Sequence, residues 1–218
     1  MKILDWGLIP YHEAWDRQKK LFSDLVENKD GEEFLILLEH LPVYTVGFRG
    51  DENNLLIDRK ALAQLNIDFI RIERGGDVTY HGPGQLVVYP IINLIRHGIG
   101  VKQYVHLLEK SVLKLLRDFG IEGVTSEDAV GVWLDWGTPE ARKICAIGVK
   151  IRNGVTMHGL ALNVNTDLLA FKLINPCGFT DKDVTSISKE IGHDVDMAFI
   201  KDRLAEIITD NLSSVKEA

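Results

Sequence analysis

The chain has 218 residues, 45% of them hydrophobic, and a formal net charge of −7. That is enough to bury one substantial core, and no run of about 18 apolar residues marks a membrane span. The acidic balance argues against a nucleic-acid coat, because phosphate binding needs clustered cations. An acidic partner would have to meet a local basic patch, for which Arg71, Arg74, Arg142, Lys143, Lys150 and Arg152 are the candidates.

The opening residues, Met1 to Gly7, show neither a signal-peptide core nor an Arg-rich transit segment, so a cytoplasmic location is expected. Trp6-Gly7 closes a short first strand. Pro10 then suits the first turn of a helix on which Tyr11, Ala14, Trp15, Leu21, Phe22 and Leu25 recur at helical spacing. That helix ends near Asn28 to Gly31. Phe34 to Leu38 is a buried strand, Glu39 to Pro42 a turn, and Val43 to Gly47 a second strand. Arg49 and Gly50 at its end are well placed for a ligand contact. Asp58 caps a short helix, Arg59 to Leu65, and Ile67 to Ile72 is a further strand.

Next comes Arg74-Gly75-Gly76-Asp77-Val78-Thr79-Tyr80-His81-Gly82-Pro83-Gly84-Gln85, with four glycines in twelve residues. Such a stretch packs poorly but can hold backbone N–H groups against a ligand. Two tight turns between strands would explain Gly-Pro-Gly but not Arg-Gly-Gly-Asp or Tyr-His. It is no Walker motif, since no lysine follows it, and no Gly-x-Gly-x-x-Gly opens a helix.

Beyond it lie a strand, Gln85 to Ile92, and an amphipathic helix carrying Val101, Tyr104, Val105, Leu108, Val112, Leu115 and Leu116, with Gly120 past its end. Val132 to Trp136 reads as a strand and Gly137 to Ala141 as a turn. Lys143 to Ile151 and Val155 to Val164 form a hairpin about Asn153-Gly154. Asn175 to Gly178 is a turn, Val184 to Ile191 a short helix, and Asp196 caps a last helix through Met197, Ile200, Leu204, Ile207 and Ile208. This mixture of hairpins and helices predicts an α+β fold, with no linker long enough to split residues 1–218.

Two cysteines are present and no Cys-x-x-Cys pair, which argues against a zinc ribbon or a thioredoxin-type site. A disulfide between them is disfavoured in a reducing cytosol. Cys145 lies inside an apolar strand and reads as core. Cys177, between Pro176 and Gly178, is poorly packed and reachable, which suits a nucleophile. Its thiol would need a nearby cation or base, for which Lys143, His81 and His158 are candidates. His81, His158 and Cys177 could also hold zinc, though no two of them have local ligand spacing. No metal or cofactor is expected.

Arg74-Gly-Gly-Asp-Val-Thr-Tyr-His-Gly-Pro-Gly-Gln-Leu-Val, Lys143-Ile-Cys-Ala-Ile-Gly-Val, His158-Gly-Leu-Ala-Leu-Asn-Val-Asn and Asn175-Pro-Cys-Gly together resemble the octanoyltransferases of lipoate biosynthesis. Leu38-Glu-His-Leu-Pro-Val-Tyr-Thr-Val-Gly fits their N-terminal signature. The resemblance runs from about Leu38 to Ser186. It implies the α+β catalytic domain shared with biotin and lipoate ligases, as a single domain with mixed sheets flanked by helices. It implies transfer of an octanoyl or lipoyl group from acyl carrier protein to one lysine of a lipoyl domain. The acceptors would be the E2 subunits of 2-oxoacid dehydrogenases and the glycine cleavage H protein.

By the same resemblance Cys177 is the acyl-thioester nucleophile and Lys143 tunes it. Arg74, Gly75, Gly76, Asp77, Val78, Thr79, Tyr80 and His81 would line the acyl site, completed by Ala146, Ile147, Gly148, Gly159, Leu160 and Ala161. The family pattern has alanine where this chain has Cys145. No nucleic acid or membrane partner is implied, and a monomer is expected. Three rival readings remain: an ATP-dependent lipoate ligase, an amidotransferase between lipoyl-bearing proteins, and a non-catalytic binder of lipoyl domains or acyl chains.

Overall fold

The structure is a computed structural model that describes residues 1–48, 50–175 and 182–215. Among the described residues ten strands and five α-helices follow in chain order: β1 (Lys2–Ile9), α1 (Tyr11–Glu27), β2 (Phe34–His40), β3 (Val43–Val46), α2 (Arg59–Gln64), β4 (Asp68–Arg71), β5 (Val78–His81), β6 (Gln85–Ile91), α3 (Val101–Arg117), β7 (Val132–Leu134), β8 (Arg142–Arg152), β9 (Val155–Asn163), β10 (Asp183–Val184), α4 (Ile187–Ile191) and α5 (Met197–Val215). Seven strands make one sheet in the order β1-β2-β6-β9-β8-β10, with β7 also on β8; β4-β3-β5 make a second. Both sheets are mixed. β1 runs parallel to β2, and β10 to β8, while the β2-β6-β9-β8 centre is antiparallel.

The larger sheet is covered on both faces, which is why β6 and β9 are buried at every position. α1 packs Ala14, Phe22 and Leu25 onto Ile36, Val87, Tyr89 and Met157. α3 and α5 close the opposite face over Leu35, Val88, Leu160 and Leu162. Helix starts follow capping chemistry. Asp58 Oδ1 accepts from Ala61 N at 2.8 Å, and Asp196 Oδ1 from Ala198 N at 2.9 Å, satisfying donors the helix leaves open. The β8–β9 hairpin turns on Asn153 and Gly154, at φ +52° and +85°, the two positive values that such a turn requires.

Several expectations change. The glycine stretch is not all loop: Val78–His81 is β5, pairing antiparallel with β3. β2 runs through His40, where a turn was expected. Residues 184–191 divide into β10, which adds to β8, and α4, capped by Ser186 Oγ accepting from Lys189 N at 3.2 Å. Trp136 lies beyond the end of β7. Leu168–Leu173, for which no element was expected, is a 3₁₀ turn started by Asp167.

A buried polar knot ties the starts of β1 and β2 to the loop after β6. Lys2 N donates to Glu33 O at 2.7 Å. The Glu33 carboxylate accepts from Asn93 N at 2.9 Å and from His97 Nε2 at 3.0 Å, with Arg96 3.6 Å away. Burial pushes the Glu33 carboxyl up, but the hydrogen bonds from His97 and Asn93 and the fields of His97 and Arg96 outweigh it and hold the group below its ordinary value. The ionised form is therefore favoured by folding. Its contribution is complete above the unfolded value of about 4.3 and fades as pH falls through the lower folded value. Glu33→Gln should lower the thermal midpoint at neutral pH and flatten its decline between about pH 5 and pH 3, as read by melts across that range.

Candidate active site

A cavity of about 410 Å³ opens where the glycine stretch and the smaller sheet meet the α1 face of the larger sheet. Its roof is Arg74, Gly75, Gly76, Asp77 and the start of β5; its floor comes from β8, β9 and β6. Arg74, Gly75, Gly76, Asp77, Val78, Thr79 and His81 line it together with Lys143, Ala146, Ile147, Gly148, Gly159, Leu160 and Ala161. Tyr80 does not. On β5 it faces away from Thr79 and His81 and packs its ring on Tyr44 and Phe171, at centroid distances of 5.2 and 5.6 Å. Cys177 and Arg49 lie outside the described residues, so the zinc reading that needs Cys177 has no geometry here. Among the described residues no group of three or more His, Cys, Asp or Glu side chains could hold a metal.

The roof touches the floor backbone to backbone. Gly75 N donates to Val149 O at 3.1 Å. A Cβ on Gly148 would stand 2.8 Å from Gly75 O, and one on Gly159 only 2.1 Å from Val88 O. Glycine is required at both places because another backbone occupies the space a side chain would need. Arg74 is buried, and its guanidinium fastens the roof instead of facing solvent. Nη2 donates to Thr45 O and Thr45 Oγ1, both at 2.9 Å, and Nη1 to Gly75 O at 2.9 Å. Asp77 fastens the other side, accepting from Asp51 N at 2.9 Å and from Asn54 Nδ2.

Lys143 is also buried. Its Nζ sits 4.5 Å from the centroid of the Trp133 ring, a cation–π contact, and Trp133 is itself oriented by donating Nε1–H to Ala129 O at 2.9 Å. β8 is paired at this point on both edges, Lys143 lying opposite Trp133 of β7 and Val184 of β10. The lysine therefore projects from a backbone that cannot shift independently. Cys145 is fully buried beside it, and burial pushes its thiol far above the usual range, so it stays protonated. That agrees with a core role.

Under the cavity runs a directed line of hydrogen bonds. Gln85 Nε2 donates to Asn163 Oδ1 at 2.9 Å and to Tyr80 O at 3.1 Å, so its oxygen must accept from His81 Nδ1 at 2.7 Å. His81 Nε2 is then the acceptor and faces Thr45 Oγ1, 3.5 Å away. Asn163 Nδ2 donates to Thr185 O at 2.9 Å, and Thr185 N donates to Lys143 O, also at 2.9 Å. The line thus joins the roof at Arg74 to the strand that carries Lys143. Burial, first, and then His40 hold His81 well below its ordinary pKa, so the imidazole is neutral.

Sequence reasoning passed over several residues in and behind this site. Tyr11 was read as part of a scaffold helix and His40 as part of a turn. Both are buried in one aromatic cluster with His81 and Tyr89; His40 Nδ1 donates to Ile9 O at 3.2 Å and its Nε2 accepts from the Tyr89 hydroxyl at 2.7 Å. The available signal was a polar residue inside an otherwise apolar strand, as at Tyr89 and Asn163. His158 was considered as a base, but burial, then Arg74, Lys150 and His40, press its pKa down to about 3. The expected basic patch is largely neutralised. Arg71 pairs with Glu52, Lys150 with Glu73, and Arg142 with Asp135 and Glu190.

Residues 10–209 match the family model of the lipoyl protein ligase A/B catalytic domain. An octanoyltransferase of Bacteroides fragilis is 54% identical over 204 residues, covering 92% of each chain. One from Bacteroides thetaiotaomicron is 53% identical over 206 residues, 93% of this chain and 91% of the relative. In fold, the chain is similar to a bipartite lipoate protein ligase of Thermoplasma acidophilum, with a TM-score of 0.67 at 16% identity over 98% of this chain and 82% of that one. It is also similar to a biotin protein ligase of Aquifex aeolicus, at 0.56 and 14% over 100% and 71%.

Gln85→Leu tests the hydrogen-bonded line. It leaves buried groups on His81, Tyr80 and Asn163 without their partner, and should cost about 3 kcal/mol in denaturant-induced unfolding at neutral pH.

Proposed function

The chain belongs to the octanoyltransferases of the lipoyl protein ligase A/B catalytic-domain family, and from that premise we propose that it carries an octanoyl group from acyl carrier protein to a lipoyl-domain lysine through an acyl-enzyme on Cys177. The observation that carries this reading is the meeting of Lys143 with a mainly apolar cavity roofed by the glycine stretch. Phe171, before the Cys177 segment, and Val184, after it, bear on it too, since both line the cavity.

The chemistry balances without ATP, because a thioester is already activated. The Cys177 sulfur bonds to the octanoyl carbonyl carbon, the carrier's C–S bond breaks, and the thiol proton leaves with the carrier thiol. The ammonium of Lys143 stabilises the attacking thiolate, and backbone N–H groups of the roof stabilise the oxyanion. In the second step the acceptor lysine's nitrogen bonds to the same carbon and the Cys177 C–S bond breaks. Lys143, having given up its proton, takes one from the incoming amine and returns it to the thiol. Such an exchange is ping-pong. The acceptors would be the lipoyl domains of 2-oxoacid dehydrogenase E2 subunits and the glycine cleavage H protein. Docking would engage surfaces other than the ion-paired arginines and Lys150.

Intact mass after mixing with octanoyl-acyl carrier protein, without ATP, tests the first step. A gain of one octanoyl group is expected in the parent and in Cys145→Ala, and none in Cys177→Ala. No gain in the parent, with ATP-dependent acylation of a lipoyl domain by free octanoate, would establish a ligase instead. Lys143→Met should slow acyl-enzyme formation by roughly 100-fold, measured by quenched-flow mass spectrometry.

A further inference from the structure

His158 breaks the pattern of its strand. Alternation along β9 would send it to the α3/α5 side with Leu160 and Leu162, but its φ of +60° turns it to the α1 face, where its ring meets Tyr89 edge-on at 6.1 Å. A non-glycine residue in this region costs on the order of 1 kcal/mol and is kept where the surroundings impose it. Here Gln18 of α1 imposes it, its Oε1 accepting from His158 N at 3.0 Å. The side chain is 1% exposed and lines the cavity, yet neither Nδ1 nor Nε2 has a hydrogen-bond partner. Buried polar atoms in folded proteins almost always have one.

The place of this ring in the cavity defines what it can meet. His158 stands opposite Val149, six residues along β8 from Lys143, which is about 20 Å at ~3.3 Å per residue. Between them the cavity is lined by Ala146 and Ala161, whose small side chains leave room for a straight chain, and by Gly148 and Gly159, whose open positions are taken by Gly75 O and Val88 O. A neutral imidazole offers one N–H donor and one lone pair, and a hydroxyl answers both.

We infer that His158 forms a polar subsite at the end of the cavity far from Lys143, and that it takes the terminal hydroxyl of an ω-hydroxyacyl chain. This rests on the acyl-transfer reading, since it treats the cavity as the acyl site. A methyl-ended chain long enough to reach the ring would leave both nitrogens buried against hydrocarbon, and so is selected against. The subsite thereby also sets the length of unsubstituted chain that fits.

The test is calorimetric binding to the intact protein of two acid series of about six to about twelve carbons, one methyl-ended and one ω-hydroxylated. At one chain length the hydroxyl should tighten binding by about tenfold, the scale of one buried hydrogen bond. His158→Gly accepts the positive φ without strain, so it should melt no lower than the parent and lose the preference altogether. His158→Asn, which tolerates the same φ but is shorter, should move the preference to a longer chain. No hydroxyl preference at any length, or the same preference in His158→Gly, would overturn the subsite while leaving acyl transfer intact. Failure of every acid to bind, together with no acyl-enzyme by mass, would overturn both.

Discussion

The whole site depends on two backbones meeting with nothing between them. The roof at Gly75 lies on β8 at Gly148 and Val149, closely enough that one methyl group at Gly148 would collide with a carbonyl. A contact of this kind has no flexible part that could give way. It fixes the spacing of roof and floor at that point. Arg74 and Asp77 act as two fasteners on either side of that contact, one tied to β3 and one to residues 51–54. The Arg-Gly-Gly-Asp order is therefore mechanical as well as chemical: Gly76 turns the backbone at a φ of +82°, and two charged residues hold the roof in place.

Buried polarity does a second task. The interior next to the cavity holds neutral histidines, tyrosines and amides within an apolar surround. His40 and His81 are both pressed toward the neutral form by burial, His40 to about 4. With no charge to solvate, such groups can be wholly enclosed provided each donor finds an acceptor. The ordered sequence from Thr45 through His81, Gln85 and Asn163 to Thr185 meets that condition. It makes the orientation of the roof and the position of the Lys143 strand one problem with one solution.

Much of this was legible from residue order because the signals were local. Asn-Gly marked the hairpin, capping residues marked helix starts, and glycine density marked the roof. The motifs carried the family. What stayed hidden depends on long-range partners. β5 is four residues between glycines and becomes a strand because β3 lies beside it. β10 is two residues whose pairing with Arg142 and Lys143 no local pattern announces. Tyr11 and Gln18 come from a helix that read as ordinary scaffold, and His40 from a turn within the N-terminal signature; the three come together only when α1 crosses the larger sheet. Tyr80 failed in the opposite sense: its motif placed it with its neighbours, but strand alternation turned it into the core behind them.

The double pairing of β8 at Lys143 also constrains the order in which the protein can be made. During synthesis the chain emerges from its N-terminus, and one edge of β8 beside Lys143 stays open until Asp183 and Val184 follow some forty residues later. β1, β2 and β6 also wait for β9 and β8 to complete their sheet. Contacts this distant along the chain are slow to close. A nascent chain would therefore hold Lys143 in an unfinished enclosure until nearly the last helix is released.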